Sequence, residues 1–457
     1  MNEMRVLSPT AILGYGFPAS SFEAGLEKNP HVIAVDAGSI DPGPYYLGSG
    51  QSFTDRTAVK RDLAFMLEAG IKRNIPVIVG TAGGAGAEPH LQWCVDIVLE
   101  IANEKKLHFK MATIQSQMDK NVLKEKINAE KIKVLPPGNP LRVEDIEQSS
   151  HIVGQIGVEP IMKALDEGAE VIIAGRAYDP TVFSANAIKE GFDKGLAIHM
   201  GKILECASIA ALPGSGSDCM MGYLRQDHFL IEPLNPNRKC TTTSVAAHTL
   251  YEKTNPYILP GPGGYLDLHE TKFEQHSDRV VKVSGSQYVE DQQYTVKLEG
   301  AKPIGYRTVS IAGARDPIFI SQLDAIIAGV REQVNDHFSS IDVHYELLFN
   351  IYGKGGVMKE LEPEVEAQPT EVGIIIEAVA DTEEMANAVC SFARSTMLHF
   401  GYPDRIATAG NLAFPYSPSD FQAGVVYQFN VHHLLEVDDP YDIFPVEYQL
   451  IGVNIHA

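Results

Sequence analysis

The sequence predicts an α/β fold: a mostly parallel sheet with flanking helices, followed by a smaller α+β domain of β-α-β-β-α order. Three observations carry this. In the first half, short apolar runs alternate with longer amphipathic stretches, the pattern of strands joined by crossover helices. Most of these runs end in a glycine- or proline-rich bend, as expected where strand ends line one crevice. After about residue 270 the alternation gives way to polar strands and two long helices. The boundary falls near residue 275, giving domains 1–275 and 276–457.

Taken in order, Arg5–Gly16 leads into a helix at Ser20–Lys28, and the apolar run His31–Val35 is a strand ending in Asp36-Ala-Gly-Ser-Ile-Asp-Pro-Gly-Pro44. Val59–Lys72 carries apolar residues at helical spacing. Pro76–Val79 is a strand that opens onto Gly80-Thr-Ala-Gly-Gly-Ala-Gly-Ala-Glu-Pro-His90 and then a helix to about Lys105. Pro89 suits the first helical position. Next come a strand at Phe109–Ile114, a charged helix to about Lys131 and a strand at Ile132–Leu135. Pro160–Glu167 is helical, and Val171–Ala174 is a buried strand ending in Gly175-Arg-Ala-Tyr-Asp-Pro180. In the second half, Arg279–Val283 and Tyr294–Leu298 read as a polar hairpin. Thr308–Ile311, helix Ile320–His337, Val343–Tyr352, Val372–Ala380 and helix Thr382–His399 complete the α+β unit, with Lys354–Thr370 a loop.

The chain has 457 residues, ample for two or three cores. Its formal charge of −22 argues against nucleic acid or an anionic membrane as partner, but not against a small anion met by a few local cations. The N-terminus lacks the basic and apolar regions of a signal peptide, and no apolar run nears the length of a membrane span. Five scattered cysteines with no C-x-x-C pair suit reduced thiols. A cytoplasmic location is expected.

The glycine-rich bend is not a nucleotide fingerprint: its glycines do not fit G-x-G-x-x-G, and no Lys-Ser or Lys-Thr follows. Gly83, Gly84 and Gly86 are expected to let a substrate approach the main chain. Glu88 and His90 follow as a base and its orienting partner, or as helix-start chemistry alone. Asp36, at a strand end, is a candidate acid or cation ligand. Arg176 is placed to grip a carboxylate with two parallel hydrogen bonds, and an ion pair to Asp179 is its structural alternative. In His199-Met-Gly-Lys-Ile-Leu-Glu205-Cys206, helical spacing brings His199 near Lys202, and Lys202 near Glu205. Further on, Cys240 beside Arg238 and Lys239 at a helix start would have a lowered pKa, with His248 as its base and Glu252 one turn later. Arg238 and Arg315 are expected to assist in binding.

Five of these stretches together resemble the acyclic terpene utilisation (AtuA-like) family: Asp36–Pro44, Gly83–Gly86, Gly175–Pro180, Gly201–Cys206 and His248–Glu252. The similarity runs over most of residues 5–450. It implies a bacterial catabolic protein acting on carboxylates or their coenzyme A thioesters, and no catalytic set is carried over from it.

The leading expectation is a lyase of the hydratase or dehydratase type. Arg176 would clamp the carboxylate, His199 or His248 would be the base, and Glu205, Asp36 or Glu88 the acid. The near-neutral pKa of histidine suits this work. Asp36, His199 and Glu205 would supply ligands to a divalent cation, although no spacing demands one. The alternatives are a thiol-dependent acyl transferase or thioester hydrolase using Cys240 and His248, and a non-catalytic carboxylate-binding subunit. A homo-oligomer is expected.

Overall fold

Alternating side chains sort the central strands into two cores. In the strand Val32–Asp36, Val32 and Ala34 enter one apolar cluster while Ile33 and Val35 enter the other. Such a strand must be covered on both faces. Helices Ala19–Glu27, Arg56–Arg73 and Glu88–Lys105 cover one face through Leu26, Leu63, Met66, Leu91 and Ile97. Helices Val158–Asp166, Thr181–Lys189 and Lys194–Leu204 cover the other through Ile161, Phe183 and Met200. This computed structural model describes residues 1–364 and 368–452.

Five parallel strands form the centre of a ten-stranded sheet, in the spatial order Met4–Ser8, Val32–Asp36, Val77–Gly80, Val171–Ala174, Phe109–Ile114. Val171–Ala174 inserts between two strands that precede it in the chain. The winding direction therefore reverses there, at the kind of position where open α/β sheets bind ligands.

The sheet is mixed rather than mostly parallel. Met220–Leu224, His228–Pro233, Val281–Ser284 and Lys272–Gln275 extend one side antiparallel, and Val446–Ile451 adds to the other. A tight turn such as that at residues 225–227 joins only antiparallel neighbours, whereas parallel strands need a crossover. The polar hairpin expected from Arg279–Val283 and Tyr294–Leu298 does not form. Val281–Ser284 pairs with its neighbours in the large sheet, and Leu298–Ala301 pairs with His151–Gly154.

The chain divides into two compact units, Met1–Lys302 with the segment from Phe429 onward, and Pro303–Gln428. The division lies later than residue 275, and the C-terminal segment returns to the first unit. Pairing explains both differences: Leu298–Ala301 bonds to His151–Gly154, His433–Leu435 to Ile132–Val134, and Val446–Ile451 to Phe109–Ile114.

The second unit has its own core. Tyr345–Tyr352 and Tyr306–Ala314 flank Val372–Ala380 antiparallel. Helices Leu323–Phe338 and Glu383–His399 pack Val330, Val334, Val389 and Ala393 onto Ile374 and Ile376. The expected helix Ile320–His337 is two helices, Pro317–Ser321 and Leu323–Phe338. The predicted loop Lys354–Thr370 holds one short 3-10 turn at Lys359–Leu361, and residues 365–367 lie outside the described residues.

Candidate active site

The carboxyl ends of these strands gather charges that are rarely buried. Asp36 ends its strand, Arg176 and Asp179 follow Val171–Ala174, and Lys202 and Glu205 close the helix Lys194–Leu204. Asp36, Arg176, Lys202 and Glu205 are all buried. Asp36 feels the charges of Asp179, Arg176 and Glu205, and Glu205 those of Lys202, Asp179 and Lys253.

Arg176 is the hub. Its Nε donates to Glu299 Oε2 at 2.7 Å, and one terminal nitrogen donates to Asp179 Oδ1 at 2.8 Å and the Ala177 carbonyl at 2.7 Å. Burial opposes its charge, but Glu299 and Asp179 hold it firmly protonated. Lys297 meets the other oxygen of Glu299 at 2.7 Å. The guanidinium is thus engaged by protein carboxylates. It fixes Asp179 and the strand-end loop and is not free to clamp a substrate with the fork the sequence suggested.

The neighbouring carboxyls are different. Burial raises Asp36 well above the usual carboxylate range, with Asp179 adding to the effect, and so favours its neutral form. Burial also raises Glu205 to about 7, although Lys202 bonds to it and pulls the other way. Lys202 stays charged because Glu205 outweighs the cost of its burial. Asp36 Oδ1 and Glu205 Oε2 are buried without a hydrogen-bond partner, as is His248 Nε2. These are three of the six such side-chain atoms among the described residues, and a catalytic role is one of the few reasons a fold leaves such a group unpaired.

His248 lies near the end of the helix Thr242–Thr249, which a capping box between Thr241 and Ser244 begins. Its ring stacks on Tyr251 with centroids 5.4 Å apart, and Lys202 Nζ lies 5.7 Å from the Tyr251 centroid. Burial lowers its pKa to about 4, aided by Lys202, so it is a neutral imidazole at pH 7. Glu252 falls beyond the helix at φ 60°, exposed, so the expected one-turn pairing with His248 does not form.

Several expected site residues play other parts. His199 has both ring nitrogens engaged, by Ser286 Oγ at 2.6 Å and Thr249 Oγ1 at 3.0 Å, and burial lowers it to about 3. It is a packed neutral histidine, available neither as a base nor as a ligand for a cation shared with Asp36 and Glu205. Among the described residues no group of three or more His, Cys, Asp or Glu is arranged to hold a metal.

Cys240 precedes the helix cap, points into the core, and contacts the Ala210 carbonyl at 3.8 Å. Burial raises its thiol to about 12, the opposite of the expected activation. Arg238 donates to Asp218 Oδ2 at 2.7 Å and to the Pro213 carbonyl, which ties down its own loop. Arg315 belongs to the second unit, is 80% exposed at its side chain and approaches Glu371 at 3.8 Å.

The glycine loop is closed by protein. A Cβ on Gly86 would sit 2.0 Å from the Arg176 nitrogen, one on Gly83 would strike His90, and one on Gly84 would strike Phe53. What approaches these glycines is neighbouring backbone and side chain, not an open ligand path. Glu88 is exposed at the first turn of Glu88–Lys105, where a carboxylate complements the helix dipole. His90 binds the Tyr46 and Gln51 carbonyls, each at 3.1 Å. Glu88 therefore serves the helix start, while His90 ties the helix to the segment 46–51.

Sequence reasoning missed Glu299, Lys297 and Lys253. Glu299 carried one faint signal: a buried arginine at a strand end requires a counter-charge, and a glutamate within an apolar strand is unusual. The site residues named in sequence and gathered here are Asp36, Arg176, Glu205 and His248.

Among the described residues no helix is long and apolar enough to cross a membrane. No curated protein and no solved structure matches the chain. The model of the acyclic terpene utilisation family protein AtuA matches residues 53–212 and 228–409, which include Arg176, Lys202, Glu205, His248 and Glu299. That match spans most of the chain, and the protein belongs to the AtuA family of acyclic terpene utilisation.

Proposed function

We propose that the protein is a catabolic enzyme, a hydro-lyase that adds or removes water next to a carboxylate or its coenzyme A thioester. The family's place in terpene utilisation supports a catabolic role. The observation that carries the reaction class is the pair of buried carboxyls, Asp36 and Glu205, each with an oxygen lacking a partner. Elimination of water needs one group to take the proton alpha to the activating carbonyl and another to protonate the departing hydroxyl. Asp36, held neutral, has a proton to give. Glu205, poised near neutrality, can take one and return it, and neutral His248 stands ready as a second acceptor. Lys202 supplies the positive field for the substrate carboxylate, the role first given to Arg176.

A thiol mechanism fits less well. Burial raises both Cys240 and Cys206, so neither is a thiolate at neutral pH. The test is an absorbance assay over hydroxy acids, unsaturated acids and their thioesters. Asp36→Asn and Glu205→Gln should each lower kcat at least about 100-fold, the usual share of a general acid or base, while each variant still unfolds in one cooperative transition. Cys240→Ala should retain activity. Ligands that raise the midpoint with no turnover by any of the panel would replace this reading with a binding subunit.

A further inference from the structure

The sheet of the second unit is covered by helices on one face only. On Val372–Ala380, Val372, Ile374, Ile376 and Ala378 enter the core beneath the helices, so alternation sends Gly373, Ile375, Glu377 and Val379 to the opposite face. A solvated antiparallel face is ordinarily polar. This one carries Val309, Ile311, Leu348, Tyr352, Ile375 and Val379, and among the described residues none of the six enters an apolar core. Ile311, Leu348 and Tyr352 are exposed.

A second observation concerns glycine. Gly373 and Gly313 lie directly opposite one another on this face. Neither has a positive φ, and the nearest atom to an added Cβ would be 3.7 Å away at Gly373 and 3.8 Å away at Gly313. No crowding among the described residues demands glycine at either position, and glycine weakens a strand. A glycine pair inside two strands fits a place where another surface comes close.

We propose that this face packs against the same face of a second copy of the chain, about a two-fold axis running along Val372–Ala380. Such an axis swaps the two outer strands, so residues that flank one middle-strand position meet across it. Tyr352 and Gly313 flank Gly373, and the Tyr352 ring therefore enters the notch at Gly313 of the second copy. Leu348 and Val309 flank Glu377 and meet in the same way. Glu346 and Arg307 flank Val379, so each Glu346 meets the opposite charge. Arg307 also bonds Glu377 of its own chain at 2.7 Å, and so stands between two carboxylates. A two-fold interface asks one patch to be complementary to itself in shape and charge, and this patch is. Three strands about 4.8 Å apart, over seven residues at about 3.4 Å each, give a footprint of roughly 350 Å². The neighbouring strand Asp420–Glu436 widens it. A standard interface covers about 800 Å² per partner, so a dimer of micromolar strength is expected.

The test is light scattering of the full-length chain from about 1 to about 200 μM, which reads mass and not turnover. Twice the chain mass is expected at the upper end. Leu348→Lys should weaken association at least about tenfold, because it presses a charge against an apolar partner. Gly313→Val is the sharper variant. Its side chain has room within the chain and suits a strand, so circular dichroism should show it folded, yet it fills the notch and should leave a monomer. Adding Tyr352→Ala to Gly313→Val should recover part of the association, which a purely internal role for the glycine would not allow. A parent chain still monomeric at about 200 μM would overturn the proposal. So would an assembly that survives both Leu348→Lys and Gly313→Val.

Discussion

Arg176 shows how one side chain can look like a ligand clamp in sequence and be a scaffold in structure. Its partners Glu299 and Asp179 are about 120 residues downstream and three residues downstream, and only the nearer was visible in the sequence. Removing one member of a buried pair leaves the other charge uncompensated, which costs about 3–5 kcal/mol. Arg176→Met should therefore lose roughly that much in urea unfolding, because Glu299 and Asp179 both lose their shared cation. A loss below about 1 kcal/mol, the range of exposed pairs, would show that the hub does not bear on stability. Cysteine reactivity offers a second test at this scale. Cys94, Cys219, Cys240 and Cys390 are buried, and burial raises all four thiols. In the folded protein these four should resist iodoacetamide at pH 7, leaving Cys206 the first to react, and unfolding should expose all five. Rapid alkylation of Cys240 in the folded state would revive the thiol mechanism.

The glycine-rich loop after Val77–Gly80 works by letting backbones touch. Gly86 has φ 72°, and the direction a side chain would take is filled by the Arg176 nitrogen, the Arg176 Cα and the Gly175 carbonyl carbon. Main chain held by sheet hydrogen bonds cannot retreat. Gly86→Ala should cost at least about 3 kcal/mol from overpacking and strain together. Gly168→Ala is the control, since Gly168 has φ 76° but nothing within 4 Å, and should cost only about 1–2 kcal/mol. Equal midpoints for the two variants would refute this account. The strand–loop–helix element itself was legible, because an apolar run followed by glycines and Pro89 specifies a strand, a bend and a helix start. So were Val171–Ala174, Phe109–Ile114 and Val372–Ala380, each an apolar or alternating run between breakers. The 20-residue strand Thr295–Ala314 was read as separate pieces, because Gly300, Pro303 and Gly305 look like breaks. Its continuity depends on partners that local sequence does not encode: His151–Gly154 for one end and Val372–Ala380 for the other. The same reason hid Glu299 and misjudged His199, whose hydroxyl partners Ser286 and Thr249 come from distant segments.

At the scale of the whole molecule, two buried populations respond to acid in opposite senses. His90, His199 and His248 are lowered to about 4, 3 and 4, so between pH 6.5 and those values the unfolded chain binds their protons and the folded chain does not. Stability from these residues is complete above the unfolded pKa and falls as pH falls. Asp36 and Glu205 are raised, so the folded chain binds their protons first. Their contribution is complete below the unfolded carboxyl pKa and is lost as pH rises, through about 7 in the case of Glu205. Near pH 5.5 the carboxyls therefore offset much of the histidine effect. Each proton of difference between the two states changes stability by about 1.4 kcal/mol per pH unit. Asp36→Asn and Glu205→Gln remove one offsetting proton each. Relative to the parent chain, each variant should lose stability more steeply as pH falls from 6.5 to 5, by up to about 1.4 kcal/mol per pH unit. Urea unfolding at three pH values in that window measures it. Parallel curves for parent and variants would mean that these carboxyls are ionised in the folded protein, and Asp36 would then have no proton to give a departing hydroxyl.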